Sequence, residues 1–171
     1  MMEGVPKIYY VDLKQDDPKK ATMRKLRDLG IASETSRRSM KVHLILRADS
    51  EKFCTKNDRE LVIRRGICLI EGSWKRGDLL YGDHGSFERK LPALIAANPV
   101  NYGKRSLLSS AEALSALLYI TGFKEMAEKI MSKFHWGHTF LEINGNLLEE
   151  YAQAQDEDTI HQIEKAYGLD S

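Results

Sequence analysis

The 171-residue chain is poor in cysteine, proline and tryptophan, with two, four and two residues respectively, and these scarcities remove whole classes of explanation. Cys54 and Cys68 are too few for a disulfide framework. Beside apolar runs they read as buried free thiols of a reducing compartment. No Cys/His cluster has zinc spacing. No run of 18 apolar residues would form a membrane helix, and the opening MMEGVPKIYY lacks the apolar stretch of a secretory signal, so a cytoplasmic location is expected. No G-x-G-x-x-G follows a strand, and there is no Walker lysine, serine elbow or H-E-x-x-H. A cofactor would therefore be held by loops and main-chain groups. The length fits one domain, or two small ones, with a real core.

The net charge of +1 hides a division. Residues 1–105 carry 22 basic and 14 acidic side chains, a net of +8, whereas residues 106–171 carry 4 and 11, a net of −7. This asymmetry suggests a basic face for a polyanion; the plainer alternative is two surfaces that only solubilise. Clustering favours RNA, through Lys19, Lys20, Arg24, Arg64, Arg65, Lys75 and Arg76.

Along the first half, strands are expected at Ile8–Leu13, Val42–Leu46 and Ile67–Glu71. A helix capped by Asp17, with Pro18 at its first position, should end at Gly30. A second, starting at Asn57 or Asp58, should stop at Gly66. Strands separated by helices imply parallel crossovers and an α/β sheet. The polar run 31–39 reads as a mobile loop. After Ser106 only helices are expected: a buried one over Ala111–Thr121, an amphipathic one over Lys124–Phe134, two short ones over Thr139–Tyr151 broken at Asn144-Gly145-Asn146, and a last one capped by Asp156 or Asp158. His135 and His138 lack a third partner, so no metal site is expected.

Two of the four prolines fall in one stretch, LPALIAANPVNYGKRSLLSSAEA (Leu91–Ala113). Pro92 suits a first helical position, predicting a short helix to Ala97 that Asn98-Pro99 would end. Asn98, Pro99, Asn101 and Gly103 make a turn-rich loop, and Ser109-Ser110-Ala111-Glu112 is a capping box opening the next helix.

This stretch, the downstream FHWGHTFLEINGNLLEEY (Phe134–Tyr151), the upstream DDPKKATMRKL (Asp16–Leu26) and the central CLIEGSW (Cys68–Trp74) resemble the small-subunit ribosomal RNA aminocarboxypropyltransferase family of ribosome biogenesis, in an archaeal form. The resemblance runs through nearly the whole chain in the right order. It implies a SPOUT-like, knotted N-terminal α/β domain with a mostly parallel sheet (residues 1–90), an all-helical C-terminal domain (residues 91–171), and S-adenosyl-L-methionine held where they meet. It further implies transfer of the 3-amino-3-carboxypropyl group to N3 of a modified pseudouridine in small-subunit rRNA, with release of 5′-methylthioadenosine. The expected partner is small-subunit rRNA or a pre-ribosomal particle, and the expected state a monomer. A SPOUT-class RNA methyltransferase and a non-catalytic RNA-binding assembly factor are the alternatives.

By the same resemblance, Thr22 and Ser110 are the anchors of the cofactor carboxylate, Ile70 offers its carbonyl to the ribose, and Leu91 and Ser106 read the adenine edge through main-chain atoms. Trp74 and Gly77 line the methyl pocket. For most of these a structural role is the plain alternative: surface for Thr22, core for Trp74, loop or cap for the serines. Glu71, at the carboxyl end of its strand, is the candidate catalytic base or orienter, unless it only pairs with Lys75. The chain departs from the family in having Asp17 and Ala21 where cysteines often stand, Glu71-Gly72 for Asp-Cys, and Ser106 for an aromatic residue.

Overall fold

The computed structural model describes residues 4–14, 21–71 and 85–170. They form two compact units. One comprises residues up to 51 together with 60–90; the other comprises 52–59 together with 91 onward.

The first unit is a five-stranded, wholly parallel sheet in the order β2-β1-β4-β3-β5. β1 (Ile8–Asp12), β3 (Leu44–Leu46) and β4 (Ile67–Glu71) are the strands expected from their β-branched and apolar runs. β1 and β4 pair over their full length, Ile8 with Ile67 through Asp12 with Glu71. Interior strands of a parallel sheet are covered on both faces, and Leu44, Ile45, Ile67, Cys68 and Leu69 are accordingly buried. Val11, Met40, Ile45 and Cys68 form one core cluster, with Tyr9, Leu13 and Ile70 packed against it. Burial pushes the Cys68 thiol up to about 12.

Several expectations need correction. The strand expected from Val42 begins at Leu44, because Ser39–Val42 forms a 3₁₀ turn. The run 31–39 contains β2 (Ser33–Glu34), an edge strand too short and polar to be seen by periodicity. β5 (Phe87–Arg89) was equally hidden and forms the other edge. α1 spans Thr22–Asp28 after an extended Ala21, four residues later than expected; Asp17 and Pro18 lie outside the described residues. α2 (Arg59–Arg65) is preceded by a 3₁₀ turn at Lys56–Asp58. Its cap is Thr55, in a capping box with Asp58. Gly30 and Gly66 follow α1 and α2 with φ of 76° and 71°, left-handed values that glycine adopts at no steric cost.

The second unit is helical: α3 (Ser110–Ile120), α4 (Lys124–Met131), α5 (Gly137–Gln153) and α6 (Glu157–Ala166). Every residue of α3 is buried, as its all-round apolar character predicts. The Ser109/Glu112 capping box forms as expected, and Asp156 caps α6. α5 is one continuous helix, so Asn144-Gly145-Asn146 does not break it. Phe140, Asn144, Leu147, Leu148 and Tyr151 lie on its buried stripe, and Asn144 holds its place by hydrogen bonds described below. None of the described helices is long and apolar enough to cross a membrane.

The expected helix over Pro92–Ala97 is absent; the segment is irregular, with one antiparallel bridge from Ile95 to Arg105. Its backbone groups are taken by other partners. Ala93 N–H donates to Glu164 and its carbonyl accepts from Tyr151. Ile95 is bonded at both N and O by Asn144. Ala96 exchanges bonds with Lys104 and Gly103, and Ala97 N–H donates to Glu112. A segment so fully satisfied by its surroundings has no need of its own i→i−4 ladder.

Candidate functional site

Ligands of open parallel sheets bind beyond the carboxyl ends of strands, where successive connections diverge. Here β1 leads to β2 on one side of the sheet and β4 leads to β5 on the other, so the divergence falls between β1 and β4. Their last residues, Asp12 and Glu71, are in register.

Asp12 is tied down. Arg24 on α1 grips it with both arms, Nε to Oδ2 at 2.6 Å and Nη2 to Oδ1 at 2.9 Å, and Lys14 N–H donates to Oδ1 at 2.7 Å. The Asp12 side chain is 3% exposed and that of Arg24 15%. The Arg24 guanidinium, opposed by burial and helped by the Lys14 amide, holds the Asp12 carboxyl below its usual range. Lys14 adopts φ of 57°, an uncommon conformation for a residue with a side chain. Thr22, two residues before Arg24, is buried at the start of α1, which removes its reading as a surface residue. Ile70 is half-buried in β4 opposite Val11. Arg24, expected on the RNA face, thus has its charge matched within the sheet unit.

In the helical unit, Leu91 and Ser106 belong to the segment that leads into Ser110 at the start of α3, and Glu112 sets the shape of that segment. This carboxylate is completely buried and accepts four hydrogen bonds. Oε2 takes Ala97 N–H (2.7 Å) and Asn98 N–H (3.2 Å), while Oε1 takes Asn98 Nδ2 (2.7 Å) and Ser109 N–H (2.8 Å). Hydrogen bonds to the charged form are what make a buried carboxylate tolerable, and the first turn of α3 adds its favourable dipole. Asn98 passes the order on, donating to Leu107 O and accepting from Asn101 N–H. Asn144 anchors the same loop through Ile95, with a third bond to Phe140 O.

Ser106 sits at the far end of this scaffold with φ of 58°, its N–H bonded to Leu94 O at 2.8 Å. A non-glycine residue held in the left-handed region costs about 1–3 kcal/mol, and such strain concentrates at functional sites. Ser110 is buried at the first position of α3, and Leu91 is half-buried. The expected cofactor residues therefore fall in two sets: Thr22 and Ile70 on the sheet unit, and Leu91, Ser106 and Ser110 on the helical unit, the last at the start of α3.

Glu71 is placed by its backbone, at the end of β4. Arg64 and Arg65 are exposed in the last turn of α2. Trp74, Gly77, Lys19, Lys20, Lys75 and Arg76 lie outside the described residues. His138 pairs with Glu142 on the surface at 2.8 Å, and among the described residues no group of three His, Cys, Asp or Glu side chains could hold a metal ion.

Sequence reasoning missed the part played by four residues that shape these sets. Glu112 was seen only as a capping partner, Asn144 only as a helix breaker, and the Asp12–Arg24 pair not at all. A signal existed for Asn144: it interrupts an apolar stripe at Phe140, Leu147, Leu148 and Tyr151, where a polar residue must have a buried partner.

Comparison with known proteins shows which family the chain belongs to. Residues 44–168 match the model of the family described as "Ribosome biogenesis protein, C-terminal". The 16S rRNA aminocarboxypropyltransferase of Thermoplasma acidophilum is 51% identical over 160 residues, covering 94% of this chain and 98% of the relative. That of Methanothermobacter thermautotrophicus is 43% identical over 127 residues, covering 72% and 75%. The solved structure of the SAM-dependent rRNA:acp-transferase Tsr3 from Vulcanisaeta distributa superposes with a TM-score of 0.86 at 37% identity, covering 97% of this chain and 91% of that one. The chain belongs to the 16S rRNA aminocarboxypropyltransferase family.

Proposed function

We infer that the protein transfers the 3-amino-3-carboxypropyl group of S-adenosyl-L-methionine to small-subunit rRNA. The observation that carries this is the 51% identity to a named aminocarboxypropyltransferase along almost the full length of both chains. The finer reading is that the acceptor is N3 of a modified pseudouridine, that 5′-methylthioadenosine leaves, and that the enzyme works as a cytoplasmic monomer on rRNA or a pre-ribosomal particle.

The residues present suit the cofactor. α3, at 11 residues, has a dipole that favours an anion at its start, and the Ser110 hydroxyl there is the proposed partner of the cofactor carboxylate, together with Thr22. The left-handed turn at Ser106 presents main-chain atoms where a contact to the adenine edge needs no particular side chain. Leu91 and Ile70 are assigned main-chain roles toward adenine and ribose, and Trp74 and Gly77 the enclosure of the methyl group. When bound, S-adenosylmethionine supplies a sulfonium with three electrophilic carbons. The chain's contribution is to decide which of them meets the nucleophile, and orientation of this kind can contribute several kcal/mol. Glu71, ending β4 beside Asp12, is the proposed acceptor of the uracil N3 proton. Asp12 is the less suitable base, since Arg24 stabilises its charged form.

A trefoil knot formed by the sheet unit belongs to the same proposal. The insertion of β4 between β1 and β3, both laid down earlier, supports a chain that returns to the interior of its own sheet.

By-product chromatography tests the function. With RNA acceptor, 5′-methylthioadenosine is expected; S-adenosylhomocysteine would mark a methyltransferase. Absence of both, with no binding of S-adenosylmethionine in calorimetry, would mark a non-catalytic assembly factor.

A further inference from the structure

The three interior strands of the sheet each begin just after a residue that lines one cavity: Lys7 before β1, His43 before β3 and Gly66 before β4. The cavity is about 390 Å³ and lies at the amino edge of the sheet, opposite the Asp12–Glu71 edge. Three backbone-directed bonds set its rim: Ile67 N–H to Lys7 O at 2.9 Å, Leu44 N–H to Gly66 O at 3.1 Å, and His43 Nδ1 to Arg65 O at 2.6 Å. Gly66 is required there, since a Cβ would stand 2.9 Å from Lys7 O and 3.3 Å from Tyr9 Cε2.

The lining combines two kinds of group. Tyr9 and His43 are stacked, ring centroids 4.2 Å apart and planes 13° from parallel, with Val5 and Val42 beside them, 75% and 56% exposed. Lys7, Arg64 and Arg65 bring three positive charges. Among the described residues, none of the ion pairs includes any of the three. Because the partner of His43 Nδ1 is a carbonyl, which can only accept, Nδ1 carries the proton.

We propose that this cavity binds an unpaired nucleotide of the rRNA, remote in the sheet from the transfer edge, with the base extending the Tyr9–His43 stack and the flanking phosphates on Lys7, Arg64 and Arg65. Aromatic platforms set in cationic grooves hold single-stranded RNA in this way. Apolar exposure at Val5 and Val42 is covered by the same ligand. The proposal rests on the rRNA-modifying function and adds a second contact to it, one that anchors substrate without touching the cofactor.

The test is binding of a short single-stranded oligoribonucleotide to the full chain, over a salt series, in the wild type and in His43→Ala, His43→Phe and the Arg64→Ala/Arg65→Ala pair. His43→Ala should weaken binding about tenfold, as loss of one stacked ring does. His43→Phe, which keeps the ring, should recover most of it. Removing two phosphate contacts should lower the salt slope by about 1.4, at ~0.7 per cation on a single strand. Affinity for S-adenosylmethionine should be unchanged throughout. RNA affinity and salt slope equal to wild type in all three variants would overturn the cavity while leaving the transferase reading intact. A wild-type protein that does not bind the oligoribonucleotide would overturn the cavity alone, and the by-product assay still decides the transferase reading.

Discussion

Glu112→Gln should do more damage than its single added amide suggests. The two carboxylate oxygens each accept two N–H donors, Ala97 and Asn98 main chain on one side, Asn98 Nδ2 and Ser109 main chain on the other. A glutamine can present its oxygen to only one pair, so its own NH₂ confronts the other. Rotating the Asn98 amide offers no relief, because its oxygen already accepts from Asn101 N–H. Two hydrogen bonds are lost in either orientation, although Asn98 Nδ2 keeps its bond to Leu107 O, and each buried N–H left without an acceptor costs about 1–3 kcal/mol. The expected loss is therefore about 2–6 kcal/mol, a large part of the ~5–15 kcal/mol that holds a typical domain together. Urea unfolding gives the loss, and native-state hydrogen exchange locates it, with faster exchange at Ala97 and Asn98 or at Ser109. Affinity for S-adenosylmethionine should fall with the population of the ordered loop. A variant within about 0.5 kcal/mol of wild type, the range of ordinary surface changes, with unchanged exchange at these amides, would refute the hub.

Asn144→Ala removes both partners of Ile95 and a bond to Phe140, and should cost about 2–4 kcal/mol by urea titration; a loss below 1 kcal/mol would mean that the loop holds itself. Arg24→Ala leaves Asp12 buried without its counter-charge, at about 3 kcal/mol or more. The Asp12 carboxyl is lowered from 3.8, so its contribution is present above that value and is lost as pH falls through the lower folded one. Acid titration should show that loss in wild type and not in Arg24→Ala. Ser106→Gly should gain about 1 kcal/mol by relieving left-handed strain while keeping cofactor affinity, since the proposed contact is main-chain; a tenfold weaker affinity would point to a side-chain role. The buried Cys68, with its thiol near 12, should resist alkylation at pH 8 until the protein unfolds.

What could be read from the sequence was whatever local pattern dictates. β1, β3 and β4 announced themselves through apolar runs, and the Ser109/Glu112 box through its spacing. β2 and β5 did not, because edge strands of two and three residues have no periodicity and depend on a neighbour to exist. The segment from Leu91 to Ala97 misled for the same reason in reverse. Pro92 is a genuine local helix signal, but the backbone there is claimed by Glu112, Asn144, Tyr151 and Glu164, which lie 15 to 71 residues further along. The motif was visible, whereas the buried groups that shape it act at a distance no window covers. The candidate site followed the same rule: Thr22, Ile70, Leu91, Ser106 and Ser110 came from resemblance, while the strained backbone at Ser106 and the grip of Arg24 on Asp12 exist only in the folded chain.

The central claim is that the aminocarboxypropyl group, and not the methyl, passes to rRNA. One reaction with S-adenosylmethionine carrying distinct labels in its carboxyl carbon and its methyl group decides it, using small-subunit rRNA as acceptor and reading both labels in the recovered RNA. The carboxyl label is expected in RNA and the methyl label in 5′-methylthioadenosine, in equal amounts. The methyl label in RNA, with the carboxyl label left in S-adenosylhomocysteine, would contradict it.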